Sequence, residues 1–154
     1  SIAFEQSYGG VDGDSASTAE VIALLSAISN VPIRQDRAIT GSINQKGDIQ
    51  AVGGLNEKIT GFFEVCKDRG LNGTQGVVMP AQNVDDLMLS DELIDAVKRG
   101  KFSIYPVSRL EEAVELLMEL PAGKISKDGK FPANTVFAKV QANLDVLHEA
   151  SRRR

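Results

Sequence analysis

Apolar positions recur at helical spacing in some stretches of this chain. In others they alternate or run together, and each change of period marks a new element. Residues 15 to 30 are rich in Ala, Leu and Ile and apolar around most of their girth. That predicts a central, buried helix, and Pro32 follows its end. Residues 1 to 8 alternate in part and read as a strand, with Gly9 to Asp14 as a loop. Arg37 to Ile43 reads as a strand, Asn44 to Asp48 as a turn containing Gly47, and Ile49 to Val52 as its partner strand. Gly53-Gly54 breaks the pattern. Asn56 is then the expected N-cap of a helix. Ile59, Phe62, Phe63 and Cys66 form its core face, and Gly70 is its C-cap.

Gly76 to Met79 is a short apolar run ended by Pro80, which predicts a buried strand. Residues 83 to 99 read as one helix with Leu93, Ile94 and Val97 inward, and Phe102 to Val107 as another strand. Ser108 is expected to cap a helix reaching about Glu119, with Glu111 placed as in a capping box. Residues 121 to 133 read as a polar Lys/Gly linker. Residues 134 to 154 form an amphipathic tail helix on Phe137, Val140, Leu144 and Leu147. Helices and strands alternate, so the expected class is α/β or α+β, a mixed sheet with packed helices.

At 154 residues the chain suits a single domain with one real core. Its net charge of −4 gives no electrostatic support for nucleic-acid binding, the three arginines at the end excepted. No apolar run approaches the ~20 residues that cross a bilayer. Cys66 is the only cysteine, which excludes an internal disulfide and a Cys-rich zinc site. The lack of disulfides fits a reducing, cytoplasmic setting. His148 is the only histidine and lies in the tail, so hydrolytic chemistry here needs another base. Ser1 is not an initiator Met, and the chain opens inside a predicted strand. It reads as a fragment of something longer.

Two segments carry chemistry. Gly-Val-Asp-Gly-Asp-Ser-Ala-Ser, residues 10 to 17, puts Ser15 where a Gly/Asp loop meets a helix. The first N–H groups of a helix lack internal partners and carry the positive end of its dipole. The backbone N–H groups of Asp14 and Ser15 are thus candidate donors to an oxyanion. The plainer reading is that Asp14 or Ser15 only caps the helix. A phosphate loop is disfavoured, because no Gly-x-x-x-x-Gly-Lys-Ser/Thr occurs and Asp12 and Asp14 would repel phosphate. The second segment, Gly-Gly-Leu-Asn-Glu-Lys at 53 to 58, puts Lys58 in a first helical turn. The dipole there, with partial burial, would favour the neutral amine that can accept serine's proton. The plainer reading is a solvated surface lysine.

Together the two segments, 43 residues apart from serine to lysine, resemble the proteolytic domain of the Lon family, serine–lysine endopeptidases coupled to an AAA+ ATPase. Asp12-Gly13-Asp14-Ser15-Ala16 is similar to the family's nucleophile motif, and Asp14 resembles the LonB-like branch. Ile39-Thr40-Gly41 also matches. The resemblance covers roughly residues 1 to 120 and has no counterpart for the tail. It implies Ser15 as nucleophile, Lys58 as general base and Thr40 as the residue that orients the lysine. It implies that Asp12 pairs with Lys58 in a resting state. It further implies a compact, ribosomal-protein-like α/β fold, unfolded or damaged polypeptides as substrates, and a hexameric ring. A partner ATPase using ATP and magnesium is implied too, with no cofactor in this fragment, no membrane and no nucleic acid. The competing readings are a non-catalytic ring or scaffold module and a small-molecule kinase on a related fold.

Overall fold

The computed structural model describes Ile2 and residues 12–152. The strand read over residues 1 to 8 lies outside them apart from Ile2. The described elements are α1 (Ser17–Ser29), β1 (Arg37–Ile39), β2 (Ser42–Ile43), β3 (Ile49–Gln50), α2 (Leu55–Arg69), β4 (Gly76–Pro80), a 3₁₀ helix (Ala81–Asp86), α3 (Asp91–Lys98), β5 (Ser103–Val107), α4 (Leu110–Met118) and α5 (Val136–Arg152). This is the mixed α/β class expected. The chain divides into two compact units. One holds Gln35–Leu110 with the stretch up to Ala19, the other Glu20–Arg34 with Glu111–Arg154.

In the first unit, three parallel strands lie in the order β1-β4-β5, with Ala38 opposite Val77 and Val78 opposite Tyr105. Parallel neighbours need long crossovers. One contains the antiparallel β2–β3 hairpin and α2, the other the 3₁₀ helix and α3. All five residues of β4 are buried, as its unbroken apolar run predicts. Val77 and Met79 share one core with Leu55, Ile59, Phe63, Leu93 and Phe102. Phe63 meets Phe102 nearly edge-on, ring centroids 5.3 Å apart, the arrangement favoured by aromatic quadrupoles. Each such buried aromatic contributes on the order of 1.5–3 kcal/mol by apolar burial. Burial pushes the Cys66 thiol up from its ordinary range. At the last turn of α2, Lys67 reaches Glu64 at 2.6 Å and Glu92 at 3.1 Å. The hydrogen bond to Glu64, then that to Glu92, raises its pKa.

Four expectations change. The helix expected to begin at Ser15 begins at Ser17, because Ser17 N–H and Oγ both donate to the Asp14 carbonyl and close a turn first. The strand Arg37–Ile43 splits, because after Thr40 N–H bonds Val78 of β4, Gly41 N–H turns to the Ser15 carbonyl before β2 pairs with β3. The single helix over 83 to 99 is instead a 3₁₀ helix and α3. Leu87 is extended between them, and Ser90 Oγ accepts Leu93 N–H as a fresh N-cap. Asn56 does not cap α2. Gly54 precedes the helix at φ 64°, a left-handed value suited to glycine, which leaves Asn56 inside the first turn. Gly70 caps the far end as expected.

In the second unit, Ile22, Val31, Val114, Leu117, Met118, Ala122 and Val136 are buried. The stretch from 121 to 133 is tied to the start of α5: Val136 and Phe137 N–H donate to the Pro121 and Ala122 carbonyls. Phe131 packs on Phe137 at 5.5 Å. Asn143 donates to the Ile28 carbonyl at 2.6 Å, fixing the tail helix to α1 within this unit. Leu144 and Leu147 stay exposed. No described helix is long and apolar enough to cross a membrane.

Candidate functional site

The segment that carries Ser15 is stitched to the chain around Thr40 by backbone and hydroxyl groups together. Gly41 N–H donates to the Ser15 carbonyl at 2.9 Å. Thr40, buried, donates from Oγ1 to the same carbonyl at 3.3 Å. Thr18, fully buried, donates both N–H and Oγ1–H to the Gly41 carbonyl. Ser17 Oγ accepts Ile43 N–H at 3.0 Å. Ser42 Oγ donates to Asp14 Oδ2 at 2.9 Å, so that carboxylate is engaged across the fold. Gly13 has φ 96°, a left-handed value that lets the loop turn sharply into Ser15.

Ser15, Thr40 and Lys58 line one cleft of about 210 Å³, with Ala16, Ala19, Ala38, Ile39 and Val77. Alanines on α1 and β1 leave that space open, and Val77 of β4 closes part of its wall. Ser15 is half-buried. Lys58 is exposed, which corrects the expectation of partial burial. The helix that carries it starts at Leu55, and the carbonyl of the preceding Gly54 accepts Lys58 N–H at 3.2 Å. Asp12 is exposed too, its Oδ1 accepting Gly13 N–H at 2.8 Å. Among the described residues no ion pair joins Asp12 to Lys58. Nor do described His, Cys, Asp and Glu side chains gather into a metal-holding group.

Chemically, the cleft offers a hydroxyl, an amine and a threonine whose proton is already given to Ser15. A hydroxyl has one donor and two acceptor lone pairs, so Thr40 Oγ1 keeps acceptor capacity for a lysine ammonium. Ser17 and Ser42 were not legible as parts of the site. Their partners lie 26 and 28 residues away, and hydroxyl-to-backbone contacts leave no periodic trace.

Residues 9–120 match the Lon protease C-terminal proteolytic domain. A Lon protease homolog of Escherichia coli is 55% identical over 120 residues, 78% of this chain and 20% of its own length. A Lon protease homolog of Haemophilus influenzae is 43% identical over 153 residues, 99% of this chain and 26% of its own, so that match includes the tail. An archaeal Lon protease of Archaeoglobus fulgidus is 38% identical over 118 residues, 77% of this chain and 17% of its own. The chain thus spans about a quarter or less of the length of the curated relatives it matches. With Ser15, Thr40 and Lys58 around one cleft and a match over most of its length, the chain belongs to the family of Lon protease C-terminal proteolytic domains.

Proposed function

We propose that this chain is the proteolytic part of a serine endopeptidase in which Ser15 is the nucleophile and Lys58 the general base. The observation that carries it is the common cleft of Ser15, Thr40 and Lys58. In this reading Ser15 Oγ attacks the peptide carbonyl carbon while Lys58 Nζ takes its proton. The tetrahedral oxyanion is held by the backbone N–H groups of Asp14 and Ser15. Lys58 returns the proton to the leaving amine, the C–N bond breaks, and Ser15 keeps the acyl group as an ester. Water, deprotonated by Lys58, then attacks the ester carbon, the bond to Ser15 Oγ breaks, and Lys58 returns the proton to that oxygen. Thr40 holds the lysine through its free lone pairs, and Asp12 pairs with the lysine in a resting state.

The reading extends to polypeptide substrates, a six-membered ring and coupling to an AAA+ ATPase that supplies ATP and magnesium chemistry. Family membership supports these, as does the small share of the relatives' length that this chain spans.

Two substitutions test the dyad. Ser15→Ala is expected to lower kcat by ~10⁴ or more with the fold intact, because that hydroxyl makes chemistry rather than packing. Lys58→Arg is expected to match Lys58→Ala, since arginine holds its proton at any working pH, with a pKa above ~12. The exposed position of Lys58 is also what a surface lysine shows, and a surface lysine tolerates arginine. Near-normal turnover of a small peptide by Lys58→Arg therefore removes the base assignment. Near-normal turnover by Ser15→Ala moves the nucleophile elsewhere.

A further inference from the structure

Lys58 stands one turn inside a helix that follows two glycines. A Gly-Gly joint is soft unless its flanks are held from outside. Both flanks are held, and by one segment. On the near side, Asn83 is 5% exposed and its Oδ1 accepts Val52 N–H at 2.9 Å. Its Nδ2 donates to the Val52 carbonyl at 3.2 Å and to Asp86 Oδ2 at 3.2 Å. The side-chain amide thus grips both polar groups of one residue, as a neighbouring strand would. Gln82 Oε1 accepts the preceding N–H, that of Ala51, at 3.1 Å. On the far side, Asn56 Oδ1 accepts Met88 N–H at 2.8 Å and Nδ2 donates to the Asp86 carbonyl at 3.1 Å.

The gripping segment continues directly from β4. The same strand also fixes the nucleophile side, because the Val78 carbonyl accepts Thr40 N–H at 3.1 Å and Thr40 and Gly41 hold the Ser15 carbonyl. One buried strand is thus the common reference for both reactive side chains. We propose that Asn83 and Asn56 are positioning residues that set Lys58 relative to Ser15 by locking the two sides of Gly53-Gly54 to the segment after β4. This rests on the dyad reading. A displacement of about 1 Å in a catalytic group can cost ~100-fold in rate, so freeing one side of the joint should be felt in turnover.

The test uses the full chain and one small peptide substrate. Asn83→Ala and Asn56→Ala are each expected to lower kcat at least ~10-fold while KM moves less than ~3-fold. A control, Ser90→Ala, removes the α3 cap without touching the joint, and should lower the melting temperature while keeping kcat. Asn56 is half-buried, so its alanine variant stays folded even where Asn83→Ala does not. Asn variants that melt lower yet turn over at the wild-type kcat overturn the positioning role and leave the dyad standing. Cleavage that survives in Ser15→Ala, run alongside, overturns the dyad reading and this inference together.

Discussion

Thr40 shows what a single hydroxyl contributes at this site. Its oxygen, at the exit of β1, reaches the Ser15 segment directly. Replacing it with Val keeps shape and removes one hydrogen bond. The Ser15 carbonyl retains Gly41 N–H as a partner, so the stability cost should stay near ~0.5–1.5 kcal/mol. Turnover should fall much further, about 10-fold or more, because the proposed lysine acceptor is also lost. Urea unfolding and kcat on one preparation check both halves. A rate loss no larger than the stability loss explains would return Thr40 to a purely structural part.

Ser15 and Lys58 stand out in the sequence because serine–lysine chemistry admits few residue types, and Thr40 through the family resemblance; the fold brings the three to one cleft. Asn83, Ser42 and Ser17 do not stand out. Each acts by a contact across the fold, and the Val52–Asn83 pair is 31 residues apart. The exposure of Lys58 was also beyond the sequence: a first-turn position fixes the dipole's direction, not what covers the helix end.

At the scale of elements, the β2–β3 hairpin is tied at its turn to the chain entering α4. Asp48 pairs with Arg109, Leu110 N–H donates to the Gly47 carbonyl at 2.9 Å, and Ile49 N–H to the Ser108 carbonyl at 2.9 Å. The hydrogen bond from Asn44, at 2.9 Å, and then that from Arg109 hold the Asp48 carboxyl below its ordinary 3.8. A carboxyl depressed in the folded state stabilises the fold above its unfolded pKa and loses that contribution as pH falls through the folded value. Asp48→Asn should therefore lower the urea midpoint at pH 7. The gap should close well below pH ~4 and narrow in high salt, since both partners are substantially exposed. An equal gap at pH 7 and in acid would mean that the ion pair contributes nothing to this tie.

The elements that the sequence misplaced share a physical cause. Apolar periodicity reported α2, β4 and α4 well, because each buries one face or its whole length. It ran the 3₁₀ helix into α3, although Ser90-Asp91-Glu92 carries an N-cap followed by two first-turn acids. It also carried β1 through Gly41, whose N–H turns to the Ser15 carbonyl rather than to a strand.

At the scale of the whole molecule, the tail lies beyond the family match at residues 9–120, yet the Haemophilus influenzae relative matches across it. Its helix is anchored at one end by buried Val136 and, further on, by Asn143. Leu144, Val146 and Leu147 are left in solvent at 43%, 64% and 58% exposure. Ring assembly would need apolar surface of this kind. Non-obligate interfaces near ~800 Å² per partner need not persist at micromolar concentration. The expected behaviour is therefore a rise in sedimentation coefficient with concentration, toward six copies, rather than one fixed species. Leu147→Glu places a charge on the exposed stripe without disturbing the core. If that stripe contributes to assembly, the substitution should shift the series toward monomer at unchanged melting temperature. A chain that sediments as a monomer at every concentration, both alone and joined to the proposed ATPase, would defeat the ring proposal. Assembly indifferent to Leu147→Glu would keep the ring and move its interface off the tail.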